Sequence, residues 1–213
     1  MERRVMFYYD GFNFYRGLKS MEWKDCYWID LYEFSQKLIN KYDGYSIFGV
    51  HYFTAKPYNR DKRLRQNIWL DTNQKLHSDR LEVHYGKYDG EVTDCPVRGC
   101  PGKIHIPKEK QTDVNIAVNL LFDCFKNNCD VSVLISGDND LIPAVRCIKN
   151  HYPNHRIHII YPPNRNRSNL HEFSRYPPIH LKNAKEMLLG SKLEKSYTFP
   201  DGSISIVPSE WDV

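Results

Sequence analysis

The stretch Val131–Asp140, VSVLISGDND, decides the fold class of this 213-residue chain. Its first five residues are apolar apart from Ser132, which is typical of a strand buried on both faces of a sheet. An acidic turn, Ser136–Asp140, follows the strand, and a helical pattern continues to about Asn150. A buried strand, an acidic turn and a helix in this order predict one unit of a mainly parallel α/β sheet.

Other segments repeat this alternation along the chain. Strands are predicted at Val5–Tyr9, Tyr45–Thr54, Leu81–Tyr85 and Arg156–Tyr161. Helices are predicted from near Asn13, over Asp30–Lys41, over Asp61–Leu76 and from Asp113, where an apolar stripe comprises Val114, Ala117, Val118, Leu121 and Phe125. Strands that alternate with helices of ten or more residues predict βαβ units and a mainly parallel central sheet, Rossmann-like in architecture.

The chain is long enough for one generous domain, which we expect over residues 1–190. Residues Gly86–Pro107 hold four glycines, three prolines and two cysteines, so we interpret them as an inserted loop or small knuckle. The polar residues 191–213 are interpreted as a C-terminal tail or a hairpin around Pro200-Asp201-Gly202.

Composition limits the classes of function. The net charge of +4 and the pI near 8.6 favour a polyanionic partner only weakly. No apolar run approaches the roughly 18 residues of a membrane helix, and no signal-peptide core follows Met1, so we expect a cytoplasmic protein. The six cysteines lack a disulfide-framework spacing and are expected to be free thiols. A homo-oligomer is left open.

Four aspartates are expected at one edge of this sheet. Asp10 ends the first strand, Asp138 and Asp140 follow the strand Val131–Ile135, and Asp113 begins the helix that leads into it. Ligands of parallel sheets bind at the carboxyl ends of the strands. Two carboxylates about 4 Å apart repel by roughly 4 kcal/mol, so such a cluster favours Mg²⁺ or Mn²⁺. The alternative is that each aspartate is only an N-cap or turn residue.

Two neighbouring polar residues complete this candidate site. Asn13 lies one helical turn beyond Asp10 and could orient Asp10 or a water molecule. Ser136 could support the acidic turn or contact the substrate through its hydroxyl. A metal ion at the aspartates would orient a phosphodiester and activate a water molecule for in-line attack.

Three segments carry a resemblance to a known family. Residues 10–13 (DGFN), 109–114 (EKQTDV) and 135–143 (ISGDNDLIP) resemble the signature segments of the NYN family, in the LabA-like branch of the PIN-like nucleases. The resemblance covers roughly residues 3–190. It implies a PIN-like three-layer α/β/α sandwich, magnesium or manganese at the clustered aspartates, and cleavage of RNA.

The chain departs from the family pattern at two positions. Asn119 stands where the family often has a further aspartate, and Leu141 stands where phenylalanine is frequent. The four remaining acids are enough for one metal ion, whereas a second ion would lack a ligand.

Basic residues near the same edge are candidates for phosphate binding. They are Lys56, Arg60, Lys62, Arg63 and Arg65 after the second strand, where Tyr58 could also stack a base, Lys110 before Asp113, and Arg165 and Arg167 after the strand Arg156–Tyr161. The alternative for the first group is a solvated helix N-terminus.

A structural zinc site is a further, less favoured hypothesis. Cys95, Cys100, His105 and His84 supply two thiolates and two imidazoles, which could bind zinc tetrahedrally and order the insertion. The cysteines are separated by four residues rather than the usual two. Free thiols in the insertion are the favoured interpretation.

The sequence thus predicts a metal-dependent ribonuclease that acts on single-stranded RNA. The alternative is an RNA-binding or regulatory module of the same fold with weak or lost catalysis, which Asn119 favours. A phosphatase is a third possibility, but Phe12 occupies the position of the second aspartate that aspartyl-phosphate enzymes use.

Overall fold

The computed structural model describes residues 2–97, 99–164, 168–174 and 177–212, with only the backbone described for Glu91 and for 105–107. The strands are β1 Arg3–Asp10, β2 Tyr45–Thr54, β3 Leu81–Tyr85, β4 Lys87–Asp94, β5 Lys103–Lys110, β6 Val131–Ile135, β7 Arg156–Tyr161, β8 Ile179–His180, β9 Ser196–Thr198 and β10 Ile204–Ile206. The helices are α1 Gly11–Ser20, α2 Leu31–Ile39, α3 Arg60–Leu76, α4 Thr112–Lys126, α5 Ile142–His151 and α6 Lys185–Leu189.

The central sheet has six parallel strands in the order β3-β2-β1-β6-β7-β8. Helices α1, α2 and α3 cover one face, where Phe34 and Leu70 are fully buried. Helices α4 and α5 cover the other face with residues such as Ile116 and Val145. The predicted α/β/α sandwich with a parallel sheet is therefore confirmed. In the described residues, no helix is both long and apolar enough to cross a membrane.

The insertion is a β-hairpin rather than the expected loop or knuckle. Strands β4 and β5 pair antiparallel from Lys87 opposite Lys110 to Asp94 opposite Lys103. Val92 and Ile104 are exposed, so the side chains described for these strands do not form a buried face with an alternating apolar pattern. The hairpin is therefore held by backbone pairing between β4 and β5, which hydrophobic periodicity does not predict.

The expected buried stripe of α4 is corrected in part. Val114, Val118 and Phe125 are exposed, and Ala117 and Leu121 are only half-buried. The residues that face the sheet are Ile116, Leu120 and Cys124. Helix α4 is apolar around most of its circumference, so the pattern alone does not distinguish its two faces.

The C-terminal residues pack on the rest of the domain. A hairpin of β9 and β10 turns at Gly202, whose φ of 79° favours glycine. Leu193 and Val207 join the core under α2 and α3. The indole N–H of the buried Trp28 donates to the carbonyl of Glu194 at 2.9 Å. This segment is thus part of the fold.

Candidate carboxylate site

Neighbouring strands bring the first two segments of the site together. Tyr9 pairs with Ile135, so Asp10 and Ser136 leave β1 and β6 side by side at the carboxyl edge of the sheet. Gly11 begins α1 directly against β2, where an added Cβ would lie 2.6 Å from the carbonyl oxygen of Phe53. Only glycine permits this approach, which fixes where α1 begins.

Asp10 is a buried carboxyl held by three hydrogen bonds. Its Oδ1 accepts from the amide of Asn13 at 2.9 Å, which makes Asp10 the N-cap of α1. Its Oδ2 accepts from the Asn13 side chain at 2.6 Å and from the Ser136 hydroxyl at 2.7 Å. Burial raises the pKa of Asp10 to about 6 against the effect of these bonds, and the charge of Asp138 adds to the increase.

The Ser136–Asp140 turn is held by its own side chains. The Ser136 hydroxyl accepts from the amide of Asp138 at 3.0 Å, and Asp138 Oδ1 accepts from the amide of Asp140 at 3.0 Å. Asp138 is half-buried, whereas Asp140 is exposed. Asp138 is therefore an N-cap, the role that the alternative interpretation of the aspartates expects.

Asp113 approaches from the opposite wall, in the first turn of α4. The preceding Gln111 has φ of 78°, a left-handed conformation that is costly for a residue with a side chain and that turns the chain from β5 into α4. Burial and, after it, the charges of Asp10, Asp138 and Asp140 together raise the pKa of Asp113 to about 6. The other three predicted carboxylates are thus within electrostatic reach of Asp113.

Three of these carboxylates line one cleft of about 580 Å³. Asp10, Asp113 and Asp138 belong to its lining, together with Asn13. Asp140 is not among the lining residues; it lies at the exposed rim.

The donor set fits a hydrated oxygen-seeking cation. Within the described part of the chain, no lysine, arginine or histidine forms an ion pair with any of the four aspartates. Among the same residues, no three of the aspartates bring their oxygens within 4.8 Å of one another. Magnesium suits this spacing because it keeps several of its water ligands and takes only one or two carboxylates directly.

Some of the predicted basic residues line the cleft and others do not. Lys110 lines the cleft. Lys56 lies with its Nζ 5.0 Å from the centre of the Tyr85 ring, Arg60 and Arg63 are exposed on α3, and Arg65 forms an ion pair with Glu210. None of these four is among the residues that line the cleft. Arg165 and Arg167 lie outside the described residues.

Lys62 and Tyr58, which belong to the predicted basic segment after β2, also line the cleft. Three further lining residues were not assigned from the sequence: Arg16, Tyr88 and Lys108. A fifth carboxyl, Glu109, lines the cleft as well; burial raises its pKa, as does the charge of Asp113.

Asn119 lies one and a half turns beyond Asp113 and is half-buried. Its side-chain amide donates to the carbonyl of Asn115 at 2.9 Å, a bond within its own helix. It does not belong to the cleft lining.

The four proposed zinc ligands are not brought together. Cys95 and Cys100 are at the tip of the β4–β5 hairpin, and all six cysteines are free thiols. His84 precedes the hairpin, and the eight residues of β4 separate it from the tip by roughly 25 Å. The imidazole of His84 instead contacts His51 on β2. The side chain of His105 lies outside the described residues.

A parallel α/β/α sandwich with carboxylates from β1, β6 and α4 at its carboxyl edge defines a PIN-like domain. The sequence matches the NYN domain family over residues 4–177, which is most of the chain. The protein belongs to this family, which is one of the PIN-like nuclease families.

Two other proteins are similar to this chain. A relative from Pseudomonas putida, named 6-hydroxy-3-succinoylpyridine 3-monooxygenase HspA, is 27% identical over an alignment that covers 98% of this chain and 75% of the relative. A crystal structure of a protein of unknown function from Vibrio parahaemolyticus is similar with a TM-score of 0.52 and 13% identity, covering 84% of this chain and 93% of that one. The second likeness supports the fold.

Proposed function

We propose that this protein is a metal-dependent ribonuclease that hydrolyses phosphodiester bonds of single-stranded RNA. The observation that carries the proposal is the cleft in which Asp10, Asp113 and Asp138 converge from three distant segments. A surface that only bound phosphate would gain nothing from concentrated negative charge. The raised pKa values of Asp10 and Asp113 indicate a site whose charge a cation would relieve.

The residues of the cleft have separable roles in this proposal. Asp10, Asp113 and Asp138 would hold Mg²⁺ or Mn²⁺, which when bound polarises a phosphodiester and lowers the pKa of a water molecule. Asn13 and Ser136 keep the Asp10 carboxylate in one orientation through their hydrogen bonds. Asp140 at the rim adds negative charge to the site without lining the cleft.

The walls of the cleft suit a polynucleotide strand. Lys62 from α3 and Lys108 and Lys110 from β5 line the cleft together with the carboxylates and would bind backbone phosphates. Tyr58, whose side chain is 80% exposed, and Tyr88 offer rings on which bases could stack.

The test is cleavage of matched RNA and DNA oligonucleotides by tag-free protein with Mg²⁺, with Mn²⁺ and with a chelator. We expect RNA cleavage that needs the metal and falls at least a hundredfold in Asp138→Asn. The matched control is Asp43→Asn, an exposed aspartate in the turn before β2, at the amino edge of the sheet. Cleavage that survives in Asp10→Asn, Asp113→Asn and Asp138→Asn would reject the carboxylate site.

RNA binding measured on the same variants separates the alternative function. Protein that binds RNA but cleaves neither nucleic acid with either metal would be an RNA-binding module of this fold. Replacing Lys62 and Lys110 by glutamine should weaken RNA binding. It should also reduce the slope of log K against log salt concentration by roughly 0.7 for each charge removed. Lys126→Gln at the far end of α4 should leave the affinity and the slope unchanged.

A second candidate substrate is a small aromatic acid. A pocket of about 330 Å³ adjoins the cleft, sharing Phe12 and Tyr88 with it, and its aromatic lining includes Tyr15, Tyr27, Tyr52, Trp69 and Trp211. Arg16, Lys62 and Arg65 add positive charge to this pocket. The Pseudomonas putida relative is named for a succinoylpyridine, which combines an aromatic ring with a carboxylate.

Calorimetric titration with 6-hydroxy-3-succinoylpyridine tests this second candidate. Binding that Tyr27→Ala weakens, and that Tyr42→Ala on the far side of the domain does not, would support it. Absence of binding at millimolar ligand would remove it and leave the ribonuclease proposal unaffected.

A further inference from the structure

A second group of possible metal ligands lies on the edge of the sheet, away from the aspartates. Glu82 and His84 alternate on β3, so both side chains project from the same face. His51 on β2 is opposite Glu82 in the strand register, and Phe53 is opposite His84. Parallel pairing therefore places two imidazoles and one carboxylate side by side beneath α4.

The three donor atoms have the spacing of a metal site. His51 Nδ1 and His84 Nε2 are 2.8 Å apart, and each lies 3.6 Å from Glu82 Oε2. The point equidistant from the three atoms in their plane is about 2.0 Å from each, the length of a zinc–nitrogen or zinc–oxygen bond. In the described residues, this is also the one group of three histidine, cysteine or acidic residues whose donor atoms all lie within 4.8 Å of one another.

A buried carboxylate supports His51 from the other side of its ring. Asp123 Oδ2 lies 3.3 Å from His51 Nε2, and the Asp123 side chain is 7% exposed. The hydroxyl of Tyr8 donates to Asp123 at 2.7 Å and the side-chain amide of Asn128 donates to it at 2.8 Å. A carboxylate that fixes the second nitrogen of a ligating imidazole is a recurrent feature of metal sites, because it sets the tautomer and the ring orientation.

The surroundings restrain His84 and leave the site accessible. The ring of His84 stacks on Phe53 at a centroid distance of 4.6 Å, which restrains its orientation. The Glu82 side chain is 66% exposed, so an ion can enter from solvent and retain a water ligand.

We propose that His51, Glu82 and His84 form a binding site for one divalent transition-metal ion of the Zn²⁺ type, with Asp123 as a positioning residue. Two imidazoles and a carboxylate suit such an ion and do not suit Mg²⁺, which prefers oxygen ligands. Asp123 is ten residues from Asp113, or about 15 Å along α4, so this site is separate from the carboxylate cleft. A bound ion would fasten the edge strand β3 to β2.

The test is metal binding by tag-free protein, measured by equilibrium dialysis with Zn²⁺ and by the visible spectrum of Co²⁺. We expect one equivalent per chain and loss of that equivalent in Glu82→Gln and in His84→Ala. Asp123→Asn should weaken binding by roughly 10- to 100-fold. Because Glu82 is exposed, Glu82→Gln tests the site without disturbing the core.

Two controls separate this site from the other candidate ligands. Asp138→Asn and the double variant Cys95→Ser/Cys100→Ser should both retain the bound ion. A stoichiometry unchanged in Glu82→Gln, or no binding of either ion at micromolar concentration, would overturn the proposal. Loss of the ion in the cysteine variant would do the same, because it would locate the metal at the hairpin tip.

Discussion

Asp10 is both the N-cap of α1 and the most deeply buried aspartate of the cleft. The first role needs only an oxygen, whereas the second needs a negative charge that a cation can bind. Raising the pKa from 3.8 to about 6 corresponds to roughly 3 kcal/mol of unfavourable free energy for the ionised carboxylate in metal-free protein. The residue is therefore held in a state that favours capture of a cation.

The first prediction concerns the pH dependence of stability at Asp10. Since the folded-state pKa lies above the unfolded value, the native protein retains a proton between about pH 4 and 6 that the unfolded chain releases. The stability of wild type relative to Asp10→Asn should therefore fall as pH rises through this interval, by up to roughly 3 kcal/mol. Urea unfolding in chelator from pH 4 to pH 7 measures the difference. If the stability difference between wild type and Asp10→Asn does not vary with pH, the prediction is contradicted. The stability difference between wild type and Asp43→Asn should not vary with pH in this way.

The residues of the carboxylate site could be predicted to different extents. Asp10 and Asp138 follow strands and Asp113 begins a helix, so chain direction alone assigned them to one edge. The exposure of Asp140 depends on the short turn that it occupies, which no periodicity describes. Of the predicted basic residues after β2, Lys62 lines the cleft and Arg63 does not, because the rotation of α3 decides which side chains face it. Glu109 was not assigned because its place in the cleft depends on the hairpin.

The histidine cluster shows a different limit. The alternation Glu82-x-His84 could be read from β3, and His51 from β2. Their proximity depends on β3 pairing in parallel with β2 in a particular register, which a single sequence does not specify. His84 was therefore grouped with the cysteines nearest to it in sequence.

At the scale of the element, α4 connects the two candidate metal sites. Asp113 in its first turn faces the cleft, and Asp123 in its last turns supports His51. The helix is held to the sheet by its middle, where Ile116 and Leu120 are fully buried. Its outer side carries exposed valines and phenylalanines that make no comparable contribution to the core.

The second prediction compares the two faces of α4. Leu120→Ala should lower the free energy of unfolding by about 2–5 kcal/mol, because it removes buried methyl groups and leaves a cavity. Val118→Ala, at a residue 56% exposed, should change it by less than about 0.5 kcal/mol. Chemical denaturation measures both values. An equally large loss at Val118 would show that its face is covered in an assembly of copies.

Hairpin β4–β5 is the element that the sequence described least well, yet it forms one wall of the cleft. Tyr88 from β4 and Lys108 from β5 reach the cleft although the hairpin adds little to either apolar cluster. The side chains described for its strands show no core-facing pattern, because they border solvent and the cleft. Hydrophobic periodicity reflects burial, so it does not predict an element whose side chains face the cleft rather than the core.

At the scale of the whole molecule, the C-terminal segment extends the folded unit beyond the boundary at residue 190 that its polarity indicated. Its polar pattern reflects exposure of most of the hairpin, while Leu193 and Val207 are buried in the core and Tyr197 and Trp211 pack against it. Ion pairs from Lys75 to Asp201 and from Arg65 to Glu210 add surface contacts to α3.

The third prediction is that a chain ending at Gly190 is less stable by several kcal/mol. The truncation exposes the apolar surface that Leu193 and Val207 cover, at about 1.5–3 kcal/mol each. It also leaves the indole N–H of Trp28 without the carbonyl of Glu194. Thermal unfolding measures the loss. Leu193→Ala should reproduce a large part of it, and Ile204→Ala at an exposed position should not; equal stability of the full and shortened chains would contradict the prediction.

The fourth prediction uses stability to separate the two metal sites in one molecule. Magnesium at a hundred times its dissociation constant should stabilise the fold by about 2.7 kcal/mol, or roughly 5–10 °C in Tm for a chain of this length. The shift should disappear in Asp138→Asn and persist in Glu82→Gln, because Mg²⁺ prefers the oxygen ligands of the cleft. Zinc should give the reverse pattern, since its imidazole ligands lie on β2 and β3. Thermal unfolding of Asp138→Asn and Glu82→Gln with each ion measures these Tm shifts. If one variant removes the shift with Mg²⁺ and the shift with Zn²⁺, the chain has one metal site rather than two.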